Sequence, residues 1–237
     1  MTEADPLQGM LIIDKPTGWT SMDVCARVRA RLRRGGAPKR VKVGHTGTLD
    51  PMATGVLVVL VGRATRLCDR LMADEKVYET TIDLSKRSST DDAEGAIEEV
   101  SLLRAPTEAD VRETLARFEG TIQQRPPAFS ALHVGGRRAY DLAREGRPVD
   151  LPARPVRIDR IELLAYSFPN LSIRVTCGKG TYIRSLGRDI GAALGAGGML
   201  TALRRTRVGP YDLLMSRTPE HLPEELGHGD LLPAPAF

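Results

Sequence analysis

The run Gly44-His45-Thr46-Gly47-Thr48-Leu49-Asp50-Pro51, followed closely by the unbroken apolar stretch from Val56 to Val61, constrains this chain more than any other feature. A continuous apolar run of that length reads as a strand, so the loop ahead of it leads directly into the core and is held by it. Pro51 disfavours the helical region for Asp50 and pushes its backbone toward an extended conformation. Gly44, Gly47 and Gly55 permit positive φ and the close approach of another segment. The Asp50 carboxylate is therefore presented from a constrained turn.

Several chemistries use an aspartate so placed. Thr46-Gly47-Thr48 is similar to the aspartyl-phosphate loop of cation-pumping ATPases, but there the aspartate precedes the Thr-Gly-Thr run, whereas Asp50 follows it. The chain also has no apolar segment of the ~20 residues that a membrane span needs. A plainer reading is an aspartate that opens a turn before proline. The octapeptide alone leaves the functional and the turn-forming readings both open.

A chain of 237 residues with 41% hydrophobic content can bury a full core, and its length predicts one or two domains. Cys25, Cys68 and Cys177 fall in apolar-periodic stretches without metal-ligand spacing, which reads as buried thiols in a reducing cytoplasm and not as a zinc site. The N-terminus lacks a charged segment followed by a long apolar run, so no signal peptide is expected and a cytoplasmic location is. Net charge is only +4, yet residues 27–42 hold eight basic residues and no acidic one. Six of the 34 basic residues are lysine, leaving 28 arginines, the side chain better suited to forked phosphate contacts and base stacking. RNA is the partner this distribution suits; the plainer reading of Arg27, Arg31 and Arg34 is the solvated flank of an amphipathic helix.

Along the chain, residues 10–14 read as a short buried strand, and Thr20 with Asp23 makes a capping-box start for a helix turning Val24, Cys25, Val28 and Leu32 inward. Gly35-Gly36-Ala37-Pro38 ends that helix. Residues 63–72 suit a short helix, and residues 76–84 alternate as a strand with Tyr78 on the apolar side. The polar, turn-rich residues 85–95 read as a loop or mobile segment. Thr107 caps a helix with Val111, Leu115 and Phe118 inward. Residues 123–155 lose regular periodicity apart from a short helix around Tyr140, and read as an insertion. Residues 171–177 alternate as a half-buried strand, and a helix follows over 182–194. Strands with interspersed helices predict an α+β fold on a mixed sheet.

Leu11-Ile12-Ile13-Asp14-Lys15-Pro16-Thr17-Gly18-Trp19-Thr20-Ser21, the Gly44 to Leu57 block, Lys76-Val77-Tyr78 and Gly178-Lys179-Gly180-Thr181-Tyr182-Ile183-Arg184 occur in an order and context that resembles the TruB family of tRNA pseudouridine synthases. The blocks Gln124 to Leu132, Arg138 to Arg144 and Leu203-Arg204-Arg205 extend the resemblance from about residue 9 to 218. The resemblance implies a mixed, largely antiparallel β-sheet with flanking helices, in a single catalytic domain spanning 1–237 with an RNA-gripping, thumb-like insertion at about 123–155. Many members continue into a small RNA-binding domain past the equivalent of Leu231-Leu232-Pro233, and none is expected here.

The same resemblance implies isomerisation of a T-loop uridine of tRNA to pseudouridine, with no cofactor and no metal. A carboxyl group with a reference pKa near ~4 is ionised at neutral pH, so Asp50 needs no separate base to act as nucleophile. Arg184 sits where the family's arginine pairs with the catalytic aspartate; an arginine opening a helix is poorly placed for the helix dipole, which favours a specific partner. Tyr78 would stack on the target uracil and serve in proton transfer from C5. Tyr182 and Leu203 would line the same pocket, His45 would hold the loop open beside a flipped nucleotide, and Lys15 would lie near the active loop and brace the Asp50 turn. Expected partners are the T-arm of tRNA, with no membrane, no obligate protein partner, and a monomeric state. Two alternatives stand beside this: a guide-RNA-dependent catalytic subunit, and a non-catalytic RNA-binding or tRNA-folding module.

Overall fold

A computed structural model describes residues 7–130, 133–134, 137–138, 145 and 151–236. Two compact units divide the chain, the first from Met1–Tyr78 with Arg204–Phe237 and the second from Glu79–Leu203.

The first unit is built around β3 (Thr54–Val61), which pairs antiparallel with β1 (Gly9–Lys15) over the full register Gly9↔Val61 to Lys15↔Gly55. β2 (Val43–His45) pairs antiparallel with the far end of β3, and β12 (Met199–Val208) pairs parallel with its start through Arg204↔Thr54 and Arg205↔Gly55. A strand flanked on both edges and covered on both faces must be apolar throughout, which is the physical reason for the Val56–Val61 run. Met10, Ile12, Val58, Leu60, Leu67, Leu71 and Val208 form the core around it, each large side chain worth about 1.5–3 kcal/mol of burial.

α1 (Ser21–Arg34) starts at the expected capping box, with Thr20 and Asp23 each bonding the other's backbone N–H, and buries Val24, Cys25, Val28 and Leu32. A 3-10 turn over Gly62–Leu67 leads into α2 (Cys68–Met72), and β13 (Tyr211–Asp212) folds back on β12. The C-terminal stretch returns along β1, bridging Ile13 to Arg217 and Met10 to Leu232.

In the second unit the strand order is β12, β4 (Lys76–Asp83), β11 (Asn170–Cys177), β10 (Arg154–Ser167), β7 (Gly120–Gln124). β10 pairs antiparallel with both β11 and β7. α3 (Glu108–Ala116) carries the Thr107 capping box, and α4 (Ile183–Ala193) buries Ile183, Leu186 and Ile190. A small hairpin joins β5 (Lys86–Ser88) to β6 (Ile97–Glu99), and β8 (His133–Val134) pairs with β9 (Arg137–Arg138). Among the described residues the sheet is mixed and mostly antiparallel, with four α-helices, which is the α+β class expected from the sequence.

Three segments differ from the sequence reading or fall outside it. Residues 85–95 are not simply a mobile polar loop, because they are bracketed by the β5–β6 hairpin and contain Asp92, only 1% exposed. The irregular stretch expected to reach residue 155 ends earlier, since Pro155 already pairs with Gln123 inside the sheet. Gln124 and Arg154 are themselves Cα partners in that pairing. The short helix expected around Tyr140 lies outside the described residues.

Candidate active site

The Asp50 loop is fastened from two sides within the first unit. From the β1–α1 connection, Gly18 N–H donates to the Pro51 carbonyl at 2.8 Å, and the Ser21 hydroxyl both accepts from Leu49 N–H at 2.8 Å and donates to the Leu49 carbonyl at 3.2 Å. Lys15 is completely buried, and its ammonium donates to the carbonyls of Trp19 at 2.6 Å, Pro16 at 2.9 Å and Pro51 at 3.3 Å. An ammonium has three donors, and by bonding these carbonyls Lys15 ties the β1–α1 connection to the turn and braces it.

From β12, Arg205 does the equivalent work. Its guanidinium, 1% exposed, donates from Nε to the Val56 carbonyl at 2.7 Å and from Nη2 to the Gly47 carbonyl at 3.1 Å. Gly55 makes this approach possible: its φ is +103° and a Cβ there would run into the Arg205 backbone. Gly47, at φ +125°, turns the chain over the guanidinium. Asp50 is half-buried at the end of the turn, with its own carbonyl accepting from Ala53 N–H at 3.0 Å. Positions so constrained hold a carboxylate in one place at little entropic loss on substrate arrival.

His45, the last residue of β2, has its carbonyl bonded by the half-buried Cys68 thiol at 3.3 Å. Cys68 thus departs from the expected fully buried state, while Cys25 and Cys177 are buried. Burial, then the nearby Arg205 charge, push the His45 pKa below its ordinary value of 6.5, so the ring is neutral at pH 7. Its Nδ1 is buried without a hydrogen-bond partner among the described residues. Tyr78 lies half-buried on β4, on the same side of the strand as buried Thr80 and Ile82.

In the second unit, Arg184 occupies the first turn of α4 and is 5% exposed. Its Nη1 donates to the Thr90 carbonyl at 3.1 Å, its Nη2 to the Phe129 carbonyl at 2.9 Å, and Nη1 lies 3.4 Å from the carboxylate of Asp92. Asp92 is held in turn by the Thr90 hydroxyl at 2.5 Å and Glu94 N–H at 3.0 Å. An arginine facing the wrong end of a helix dipole calls for a carboxylate partner, and Asp92 supplies one within this unit.

Tyr182 precedes that helix. Buried Gln124 grips its backbone on both sides, accepting from Tyr182 N–H at 2.8 Å and donating to its carbonyl at 3.1 Å. The Arg154 guanidinium lies 5.3 Å from the Tyr182 ring centroid while donating to the Gly180 carbonyl at 3.0 Å, which orients the ring. Leu203, on β12, is 7% exposed.

The first unit contains Lys15, His45, Asp50 and Tyr78, and the second contains Tyr182, Arg184 and Leu203. Asp92, Gln124 and Arg205 were missed as site-shaping residues. Arg205 had a readable signal, because it shares the strand face of Leu203 at a spacing of two. Asp92 had none, since its burial depends on an arginine 92 positions away in the chain.

Comparison with known proteins shows the family. The signature of the TruB family pseudouridylate synthase N-terminal domain matches residues 34–183, and that of the tRNA pseudouridylate synthase B C-terminal domain matches residues 184–228. A protein of Arthrobacter sp. (strain FB24) named tRNA pseudouridine synthase B is 49% identical over 226 residues, covering 93% of this chain and 72% of that one. Its namesake from Parabacteroides distasonis is 46% identical over 217 residues, covering 92% of each. Among solved structures, a Cbf5-Nop10-Gar1 complex matches with a TM-score of 0.65 and 32% identity over 86% of this chain, which spans 50% of that chain's length. An archaeal box H/ACA sRNP Nop10-Cbf5 complex matches with a TM-score of 0.64 and 30% identity over 90% of this chain and 51% of that one. With a family signature over most of its length and relatives near half identity across nine-tenths of it, the chain belongs to the TruB family of pseudouridylate synthases.

Proposed function

We propose that this protein isomerises a uridine in the T-loop of tRNA to pseudouridine, acting alone in the cytoplasm. The observation that carries the reading is the Asp50 turn, tied down by Lys15, Gly18 and Ser21 on one side and Arg205 on the other. Such a turn suits a carboxylate that must meet a nucleotide in one geometry. The family membership supplies the reaction class, and the relatives' names supply tRNA as the substrate class.

The reaction breaks the bond from uracil N1 to the ribose C1′ and joins C5 to C1′. A proton leaves C5, N1 gains one, and nothing is oxidised or reduced, so the chemistry calls for no cofactor. Asp50 is the nucleophile, and Tyr78 stacks on the uracil and takes part in moving the C5 proton. Tyr182, its ring oriented by Arg154, and Leu203 line the base pocket. Arg184 holds the electrostatic setting with Asp92. A stacked uridine is out of reach, so the target is turned out of its loop at a cost of a few kcal/mol, with His45 neutral beside it.

The likeness to Cbf5 chains in Nop10-containing complexes favours a second reading, a subunit that works with a guide RNA. One experiment separates the readings. Purified protein is incubated with unmodified tRNA and no other RNA, and pseudouridine is mapped by carbodiimide modification and primer extension. A new stop at a T-loop uridine supports the first reading; its absence, with activity restored by guide RNA, supports the second.

A further inference from the structure

Seven of the eight basic residues in 27–42, all but exposed Arg27, fall into two groups in the structure. Arg31, 2% exposed, donates to the Leu222 carbonyl, and both Arg31 and Arg34 pair with Glu224. In that group one carboxylate of the chain offsets part of the charge of two arginines. In the other, Arg29 and Arg33, one helical turn apart, meet Lys39, Arg40 and Lys42 around a cavity of about 490 Å³ floored by Gly44 and Thr65. Arg29 is anchored by a 3.1 Å bond from Nη2 to the Val43 carbonyl, and the other four cations are exposed. Among the described residues none of the five is paired with a carboxylate.

Five like charges around one hollow repel each other, and an anion seated among them relieves that repulsion. The occupant is therefore an anion, and its charge must be spread. A single phosphodiester or inorganic phosphate carries too little charge to balance five cations, whereas a polynucleotide backbone brings one charge per nucleotide to successive positions. The floor residue Gly44 lies in β2 immediately before His45, so the hollow and the Asp50 loop share one short stretch of chain.

We propose that this hollow is a seat for consecutive backbone phosphates of the substrate RNA, separate from the contacts made at the Asp50 loop. The inference rests on the RNA-substrate reading above and adds the place where the strand is held. Arg29 is the fixed element, because its guanidinium is already oriented by Val43. Arg33, Lys39, Arg40 and Lys42 close on the phosphates from the rim.

The test compares the salt dependence of tRNA binding in full-length wild type with that of the triple variant Arg33→Gln, Lys39→Gln, Arg40→Gln. A control variant removes three exposed arginines elsewhere, Arg104→Gln, Arg112→Gln and Arg117→Gln, which have partners in Asp110, Glu108 and Thr114. Each phosphate contact adds about 0.7–0.9 to the log-log slope, so the triple variant should lose about 2–3 from it and bind at least tenfold more weakly near 0.15 M salt. The control should keep the wild-type slope to within about 0.5. A triple variant with an unchanged slope, or a control that falls equally, overturns the seat. Wild-type protein that binds tRNA with this pattern yet forms no pseudouridine overturns the catalytic reading and leaves the seat standing.

Discussion

Arg184 and Asp92 form a buried ion pair, 3.4 Å apart with side chains only 6% and 2% exposed, and Arg184 also donates to the carbonyls of Thr90 and Phe129 while Asp92 accepts from the Thr90 hydroxyl and Glu94 N–H. The pair therefore ties the start of α4 to the loop between β5 and β6. Removing one member of a buried pair strands the other charge, at a cost of about 3–5 kcal/mol. Asp92→Ala should lose that much in urea denaturation, and Asp92→Ala with Arg184→Met should lose less than the two single changes combined. Additive losses would mean that the two charges are not coupled.

The bracing of the Asp50 turn predicts a second effect. Lys15→Met keeps the volume of the side chain but takes the ammonium donor from the carbonyls of Pro16 and Trp19, and leaves the Pro51 carbonyl with only its bond from Gly18 N–H. Each unsatisfied buried group costs about 1–3 kcal/mol. The variant should be destabilised by at least about 2 kcal/mol and should lose more in turnover than in tRNA affinity. A variant as stable as wild type would show that the turn holds without Lys15.

His45 should leave a signature in the pH dependence of stability. Its folded-state pKa lies below 6.5 because of burial first and Arg205 second. The unfolded chain therefore binds the proton more readily, so stability is fully present above pH 6.5 and declines as the pH falls below it. Between pH 7.5 and 5.5 wild type should lose more stability than His45→Asn, measured by urea denaturation at both pH values. Equal losses would contradict the assignment.

Much of the scaffold was legible from pattern alone. β1, α1, β3, α3, β11 and α4 all lie where periodicity and capping residues put them, because in each the buried face is set by local spacing. β10 was not legible: it exposes much of its length, carries Pro155, and shifts register between Ile158 and Arg160 and again between Leu163 and Ala165, which erases alternation. The Asp50 turn was readable from Pro51 and its glycines, and Lys15 as its brace came with the family resemblance. Asp92 and Gln124 were not, since a polar residue in a polar run shows no sign that a distant Arg184 or Tyr182 will bury it. Arg205 lies between, marked by strand spacing but hidden in a chain with 28 arginines.

Tyr78 separates platform from chemistry. Tyr78→Phe keeps the stacking face and loses the hydroxyl, so tRNA affinity should hold while single-turnover product formation falls sharply. Tyr78→Leu should lose both. Normal turnover by the Phe variant would assign the C5 proton to another group.

The most direct measurement is single-turnover pseudouridine formation by Asp50→Asn on unmodified tRNA, with affinity measured in parallel. The substitution keeps the shape of the side chain and removes its charge, so affinity should stay within a few fold while the rate falls to background. A rate within tenfold of wild type, about 1.4 kcal/mol in barrier height, would contradict Asp50 as the nucleophile.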